Sequence, residues 1–327
     1  MALSEAFVDQ HILQWTLQLG SGARAYRKHW PARLFHHAPL ESALEIINDG
    51  HLRARDDPKR QQVQDVAAGG VIDNRQEAHG HVRLYFRPRT PTQFHIEGIR
   101  KDADCQYGAD AHAPVLVMFI LDAKAVLTRS DILVSNQNMQ INGVATGDDE
   151  QFFSSIPFNS VYHEGGIGGD YSIIASRCAE VLSASPLPLS EVLSGIWFRS
   201  EPERDTFLHR LGGAAQRWQP YCSVSEELKV FDKRFAFVVD IDLSTEGISF
   251  RLNHRHDLQN VSIAIQAYNE KNQLCADFRN DDFKTYNQSG GRWIYRTQLQ
   301  PSNYLVKVQI ENHPAFEGTI RLGDSLF

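Results

Sequence analysis

The sequence of 327 residues has few cysteines, no long apolar run and no paired metal-binding motif. Cys105, Cys178, Cys222 and Cys275 lie far apart and form no CxxC pair, which argues against a zinc ribbon and against a disulfide scaffold. No apolar run approaches the ~18 residues of a transmembrane helix, and the first residues show no basic segment followed by an apolar one. We therefore expect a reduced, cytoplasmic protein with no membrane partner.

The net charge of the chain argues against only one broad class of protein. A formal net charge of -7 argues against a protein that coats nucleic acid over its whole surface. A local basic groove stays possible, because affinity for phosphates depends on patches rather than on the total. The Gly-rich stretch Gly165–Gly169 is not a phosphate loop, since no Lys-Ser/Thr pair follows it.

The hydrophobic pattern changes near residue 220 and predicts two domains, residues 1–219 and 220–327. In the second part, short alternating runs are separated by polar or Gly-containing turns, which is typical of an antiparallel sandwich of roughly seven strands. The runs are Arg234–Ile241, Gly247–Leu252, Val261–Tyr268, Arg292–Thr297, Tyr304–Ile310 and Gly318–Leu322.

Residues 1–219 mix helical and strand patterns and predict an α+β domain. Ser42–Asn48 is an amphipathic helix that Asp49 and Gly50 close, and Pro202 in the first turn favours a second helix at Glu201–Leu211. The strand candidates are Val82–Phe86, Pro114–Leu121, Tyr171–Leu182 and Leu193–Phe198.

An arginine-rich strand is the first candidate for chemistry. In an extended run, Arg83, Tyr85 and Arg87 share one face. Guanidinium groups beside an aromatic ring suit phosphates and stacked rings. From the pattern alone, the alternative is a solvated strand face followed by a rigid, proline-bounded turn.

Paired histidines and an isolated glutamate are the other candidates. His36 and His37 stand at a strand end, where a histidine can donate to a ribose hydroxyl or bind a metal. Because neighbours on a strand point to opposite faces, both are not expected on one metal, and a surface pair is the alternative. Glu180 lies in an apolar run, where burial is costly unless the carboxylate functions or is paired. A strand edge facing water is its alternative.

In this order the segments resemble the DarT-type ADP-ribosyltransferases, toxins that modify bases of nucleic acid with NAD. The resemblance covers roughly residues 33–212. It rests on Phe35–Ala38 with the helix up to Gly50, on Val71–Arg75, on Tyr85–Pro91 (YFRPRTP) and on Arg177–Leu182 (RCAEVL). It implies an α+β fold with an ADP-ribosyltransferase-like split mixed sheet and helices. The all-β, sandwich-like domain that follows lies outside the resemblance.

The resemblance also implies roles for single residues, with NAD as co-substrate and no metal. Glu180 and Arg75 are the implied catalytic residues. His36, Ala38, Tyr85 and Arg87 are implied to contact NAD, and Arg89 and Arg177 to contact the substrate. Cleaving the nicotinamide–ribose bond passes through an oxocarbenium-like state, which a carboxylate stabilises. The same glutamate can take the proton from a base nitrogen as it attacks.

We expect the acceptor to be single-stranded DNA or RNA. As implied by the resemblance, the protein is a cytoplasmic toxin of a toxin–antitoxin or phage-defence system, with an antitoxin protein as partner. One alternative is an enzyme that ADP-ribosylates proteins, and another is an inactive module whose cleft binds nucleic acid or a partner. The C-terminal sandwich is either a partner-binding surface or a stabilising appendage.

Overall fold

The computed structural model describes residues 2–61, 79–105, 111–139, 143–287 and 290–323. The chain divides into two compact units. Unit 1 consists of Met1–Ile96, Val117–Ile196 and Ser225–Asp232, and unit 2 of Glu97–Leu116, Trp197–Val224 and Lys233–Phe327. The units interleave along the chain, whereas the predicted domains 1–219 and 220–327 are each continuous. That these two pieces are separate domains stays a prediction.

Unit 1 contains most of the helices and a large sheet. Its strands, wholly or mainly, are β1 (Arg33–Pro39), β2 (His51–Leu52), β3 (His81–Tyr85), β4 (Leu116–Asp122), β5 (Ile132–Ser135), β6 (Thr146–Gly147), β7 (Glu180–Ala184), β8 (Leu187–Pro188) and β9 (Leu193–Trp197). Its α-helices are Glu5–Leu19, Leu40–Asp49, Pro91–Ile96, Ala123–Leu127, Glu150–Ser155, Phe158–Val161, Ser172–Ser176 and Leu189–Val192, with a 3₁₀ helix at Ala25–His29.

The sheet of unit 1 brings three of the sequence motifs onto adjacent strands. Its strand order is β9-β4-β1-β3-β7-β5-β6, and β2 pairs separately with β8. Strand β3 runs antiparallel to both β1 and β7, with Phe35 opposite Tyr85 and Tyr85 opposite Glu180. Residues directly opposite each other in such ladders place their side chains on the same face. The three motifs therefore meet in the middle of one sheet.

The helix Leu40–Asp49 confirms the prediction made from its pattern. Leu40, Ala43, Leu44 and Ile47 recur at helical spacing and are buried. The helix ends at Gly50, whose φ of 73° is left-handed and whose N–H donates to the carbonyl of Ile46. This turn sets the position of the chain that follows the helix.

The predicted strand Tyr171–Leu182 is wrong over its first half. Ser172–Ser176 form a short helix, and β7 begins only at Glu180. Asp170 Oδ1 accepts hydrogen bonds from the backbone N–H and the hydroxyl of Ser172, which satisfies the start of the helix locally. The apolar residues of the segment had favoured a strand, but the chain makes a local turn at Asp170 and continues into a short helix instead.

Unit 2 holds two antiparallel sheets. The strands are β10 (Cys222–Ser223), β11 (Val238–Ser244), β12 (Gly247–Leu252), β13 (Val261–Tyr268), β14 (Leu274–Phe283), β15 (Trp293–Arg296), β16 (Ser302–Ile310) and β17 (His313–Leu322). The α-helices are Glu201–Leu211 and Ala215–Trp218, and the 3₁₀ helices are Asp102–Asp104, Gly212–Ala214 and Gln219–Tyr221. The sheets have the strand orders β11-β12-β15 and β14-β13-β16-β17.

The two sheets of unit 2 share one hydrophobic core. Burial alternates strictly along β13, and side chains from both sheets, such as Phe250 and Phe283, contact each other with ring centroids 5.7 Å apart. The predicted fold class, an α+β sheet with helices followed by an all-β sandwich, is confirmed. Among the strands of these two sheets, β14 was not predicted, because its outward positions are so polar that the run shows no clear alternation.

The longest helix in the described ranges, Glu5–Leu19, has 15 residues. None of the helices in these ranges combines the length and the apolar character that a membrane crossing requires.

Candidate active site

A cavity of about 440 Å³ opens in unit 1 where the end of β1 lies beside the start of β3. Its volume lies in the range of small-molecule sites. Its wall is rich in histidine and in cationic side chains: His36, His37, His51, His79, His81, Arg53, Arg55, Lys59, Arg60 and Arg83. Such a wall suits an anionic ligand, because guanidinium and ammonium groups bind phosphates by charge-assisted hydrogen bonds.

His36 presents a hydrogen-bond acceptor at this cavity. Its Nδ1 lies 3.0 Å from the backbone carbonyl oxygen of Arg83. Burial lowers the pKa of His36 to about 4, so the ring is neutral at pH 7. Since a carbonyl only accepts, Nδ1 carries the proton and Nε2 keeps its lone pair. His36 can thus accept a hydrogen bond from a ligand hydroxyl, whereas the sequence suggested a donor to a ribose hydroxyl or a metal ligand.

His37 and Tyr85 form a neutral aromatic stack beside His36. Their rings lie almost parallel, at 5° to each other, with centroids 5.5 Å apart. Burial lowers the pKa of His37 to about 3 and raises the pKa of the Tyr85 phenol above its usual range. His37 lines the cavity, and Tyr85 is buried against it. The stack gives the cavity a rigid, uncharged side.

Glu180 is the first residue of β7 and is completely buried. Both of its carboxylate oxygens accept hydrogen bonds from Arg83, at 2.6 Å from Nε and 2.5 Å from Nη2. The side chain of Arg83 is 29% exposed and lines the cavity, while that of Glu180 is 1% exposed. The alternative of a strand-edge glutamate facing water is therefore wrong. The carboxylate lies one side chain behind the cavity wall.

Arg87 and Arg89 lie in a different cluster, around Glu164. Strand β3 ends at Tyr85, so Arg87 does not continue the face of Arg83. The buried Arg87 guanidinium donates to Glu164 and to the carbonyl of His163. Arg89 Nη2 lies 2.8 Å from the Glu164 carboxylate. Burial alone would raise the pKa of Glu164, but the two arginines outweigh it and hold the pKa below its usual value. Neither arginine lines the cavity.

Arg177 borders the Gly-rich loop that precedes Glu180. It caps the helix Ser172–Ser176, and its Nη2 lies 2.6 Å from His163 Nδ1 and 2.7 Å from the carbonyl of Gly165. Nearby on the chain, Tyr171 is 75% exposed. This loop therefore combines a guanidinium with an exposed aromatic ring.

The structure brings together some of the predicted site residues and not others. His36 and Ala38 line the cavity, with Tyr85 and Glu180 directly behind its wall. Arg87, Arg89 and Arg177 surround Glu164 and His163 instead. Arg75 lies outside the described residues. The roles assigned to all of these residues stay predictions.

Sequence reasoning placed Arg83 on a candidate face for phosphates or stacked rings but did not predict its pairing with Glu180. Its signal was present, because it lies two residues before Tyr85 and so on the same face of β3. Only the register of β3 against β7, with Tyr85 opposite Glu180, shows that this face meets the carboxylate. Across the ranges that the structure describes, no group of three or more His, Cys, Asp or Glu side chains is arranged to hold a metal ion.

Comparisons with known proteins give one family match and several similar structures. The family model described as "ssDNA thymidine ADP-ribosyltransferase, DarT" matches residues 35–225, more than half of the chain. A comparison with curated proteins finds no match.

Solved structures from Thermus sp. 2.9 and Thermosipho africanus are among those similar to part of this chain. DarT of Thermus sp. 2.9 in complex with ADP-ribosylated ssDNA is 14% identical, with a TM-score of 0.49 over 61% of this chain and 96% of that chain. Its complex with NAD+ gives a TM-score of 0.46 at 14% identity, over 61% of this chain and 97% of that chain. DarTG of Thermosipho africanus in complex with ADP-ribose is 12% identical, with a TM-score of 0.45 over 64% of this chain and 53% of that chain.

Proposed function

The chain belongs to the DarT family of ssDNA thymidine ADP-ribosyltransferases, and from this membership we propose that it transfers ADP-ribose from NAD to a thymine base in single-stranded DNA. The predicted family and enzyme class are confirmed by the match. The observation that carries the proposal for this chain is the cationic, histidine-lined cavity with the buried carboxylate of Glu180 behind its wall.

NAD fits the chemistry of the cavity wall. Its pyrophosphate would pair with the cationic group of Arg55, Lys59 and Arg60, since Asp49 and Asp57 already hold the guanidinium of Arg53. A ribose hydroxyl would donate to Nε2 of His36, whose Nδ1 is engaged with the carbonyl of Arg83. The nicotinamide end would lie toward Arg83, because Glu180 must reach the ribose carbon whose bond breaks.

The transfer then needs one electrostatic and one proton-accepting function. The bond between nicotinamide N1 and ribose C1′ breaks, and nicotinamide leaves with the electron pair. The negative Glu180 stabilises the positive charge that develops on the ribose. A ring nitrogen of the base attacks C1′ and forms the new bond, and Glu180 takes the proton of that nitrogen. The chain's own groups account for each of these steps without a metal.

The loop around Arg177 is the surface that we assign to the acceptor strand. Arg177 supplies a cation for a backbone phosphate, and the exposed Tyr171 supplies a ring on which an unpaired base can stack. The exposed Arg24, whose guanidinium lies against Gly165, adds a second cation to this surface. An acceptor held in this way binds less tightly as the salt concentration rises.

We further propose, on the resemblance alone, that the activity is toxic in cells and that an antitoxin protein opposes it. DNA is favoured over RNA because the description of the family names ssDNA and thymidine. Expression of the chain under a tightly controlled promoter, with colony counts as the readout, tests the toxicity.

The transfer itself is tested with purified protein, labelled NAD and a panel of acceptors. The panel holds single-stranded DNA with thymine, the same strand without thymine, its RNA counterpart, duplex DNA and a protein mixture. We expect label only on the thymine-containing single strand, with nicotinamide released in equal amount. Label on RNA or protein would replace the proposed acceptor. An absence of nicotinamide release with every acceptor would overturn the enzymatic proposal and favour a binding module.

A further inference from the structure

The bidentate ion pair between Arg83 and Glu180 joins the cavity wall to the buried carboxylate. Tyr85 and Glu180 lie opposite each other in the β3–β7 ladder, and Arg83 lies two residues from Tyr85 on the same face. This diagonal placement lets a long side chain reach across the ladder. The guanidinium fork meets both carboxylate oxygens, at 2.6 and 2.5 Å. Such a two-point contact fixes the plane of a carboxylate as well as its position.

Glu180 depends on Arg83 for its charge balance. A fully buried carboxylate without a positive partner tends to become neutral. Among the described residues, Tyr85 on the neighbouring strand and Cys178 just before β7 also interact electrostatically with Glu180. Both are neutral, because burial raises the pKa of the Tyr85 phenol above its usual range and that of the Cys178 thiol to about 12. Burial opposes the charge of Arg83, but Glu180 outweighs it and raises the pKa of the guanidinium.

The ion pair still leaves the carboxylate able to act. An ionised carboxylate has about four acceptor positions, and Arg83 takes one on each oxygen. The remaining positions can accept a ribose hydroxyl. The Arg83 side chain is 29% exposed and lines the cavity, so the guanidinium and the carboxylate can shift together when a ligand enters, with both hydrogen bonds kept.

We propose that Arg83 is a positioning residue for the transfer: it places a positive charge against the buried carboxylate of Glu180 and fixes the plane in which that carboxylate meets the ribose. The proposal rests on the proposed function, in which Glu180 is the catalytic carboxylate. It assigns to Arg83 an effect on turnover and on its pH dependence. A guanidinium that only held the phosphates of NAD would act on the KM for NAD instead.

The test compares the wild type with Arg83→Gln, Arg83→Lys and a control, Arg129→Gln. The control removes a different two-point contact of the same kind, at the surface. There, Arg129 Nε and Nη2 lie 3.0 and 2.9 Å from the carboxylate of Asp131. For each protein, kcat and the KM for NAD are measured from about pH 4.5, close to the ordinary pKa of a glutamate (about 4.3), up to about pH 8. Thymine-containing single-stranded DNA is the acceptor.

For Arg83→Gln we expect kcat to fall about a hundredfold, because the carboxylate loses its fixed geometry. We also expect the acidic limb of its kcat profile to move to higher pH, because burial then acts on Glu180 without a nearby cation. Arg83→Lys keeps the charge but not the fork, so its acidic limb should stay in place while kcat is intermediate. Arg129→Gln should match the wild type in every parameter.

Each outcome decides between the two proposals. The positioning role would be overturned if Arg83→Gln kept the wild-type kcat and pH profile. It would also be overturned if this variant raised the KM for NAD and left kcat unchanged. Both outcomes would leave the proposed function standing. If Arg83→Gln does not fold, Arg83→Lys carries the test, and full turnover in that variant would overturn the role of the fork. A wild type that transfers nothing to any acceptor would remove the proposed function and this inference with it.

Discussion

Replacing Glu180 by glutamine is the sharpest perturbation of the proposed mechanism, because it removes the negative charge and keeps the size of the side chain. Losing one preorganised electrostatic contact costs about 3 kcal/mol in the barrier, which is about a hundredfold in rate. The proton-accepting function is lost as well, so we expect at least this reduction in ADP-ribose transfer.

The same change has a cost in stability that follows from the ion pair. Glutamine offers Arg83 one acceptor and one donor, so only one of the two hydrogen bonds survives. Breaking a fully buried pair costs about 3–5 kcal/mol. Since Arg83 is 29% exposed, water in the cavity can solvate it, and we expect about 1–3 kcal/mol. At about 2–4 °C per kcal/mol, Tm falls by several degrees while the protein stays folded.

The assay measures label on thymine-containing single-stranded DNA and Tm side by side, with two glutamine controls. Glu203 forms a completely buried pair with Arg199 in unit 2, so Glu203→Gln should lower Tm without changing the activity per folded molecule. Glu191, 56% exposed, pairs with Arg129 at 2.7 Å, and Glu191→Gln should change neither quantity. Full transfer activity in folded Glu180→Gln would refute the mechanism.

Three further predictions concern stability and the acceptor. Trp30→Phe removes the indole N–H that donates to the carbonyl of Leu228 at 2.9 Å, and thermal melting should show a loss of about 1–3 kcal/mol with the activity per folded molecule unchanged. The pKa values of His36 and His37, about 4 and 3, lie below the unfolded value of 6.5, so below that pH the unfolded chain binds more protons and stability falls as the pH drops toward 4. Equal free energies of unfolding at pH 7 and pH 5, measured by urea titration, would contradict this prediction. Arg177→Gln should weaken single-stranded DNA binding and reduce the slope of log K against log salt by about 1, with the KM for NAD unchanged.

The elements that could be predicted from the sequence are those whose signals are local. The spacing of apolar residues and the closing glycine predict the helix Leu40–Asp49, and the alternation of apolar and polar residues predicts β13. The segment before Glu180 was predicted as a strand, but a local turn in which Asp170 accepts hydrogen bonds from Ser172 leads into a helix. A composition of β-branched residues does not reveal such a contact.

The residues of the candidate site could be predicted only where a residue type is unusual within its own segment of the sequence. Glu180 stands out as a carboxylate in an apolar run, and its burial in the structure agrees with a functional or paired group. Its partner Arg83 depends on the register of two strands far apart in the sequence, which local patterns do not contain. Arg87 and Arg89 belong to the same arginine-rich run as Arg83, and the sequence does not distinguish them from it. Because β3 ends at Tyr85, their side chains pair with Glu164 instead.

The order of the segments of unit 1 along the chain has a consequence for biosynthesis. Ser225–Asp232 belong to unit 1, although Trp197–Val224, which belong to unit 2, come before them. The carbonyls of Leu228 and Val230 in this late segment accept from the buried Trp30 indole and Gln93 amide. A nascent chain that has not yet reached these residues leaves both donors without those acceptors. Unit 1 therefore has all of its segments only after the ribosome has synthesised roughly two thirds of the polypeptide, and a product terminated before that point would lack the Ser225–Asp232 segment.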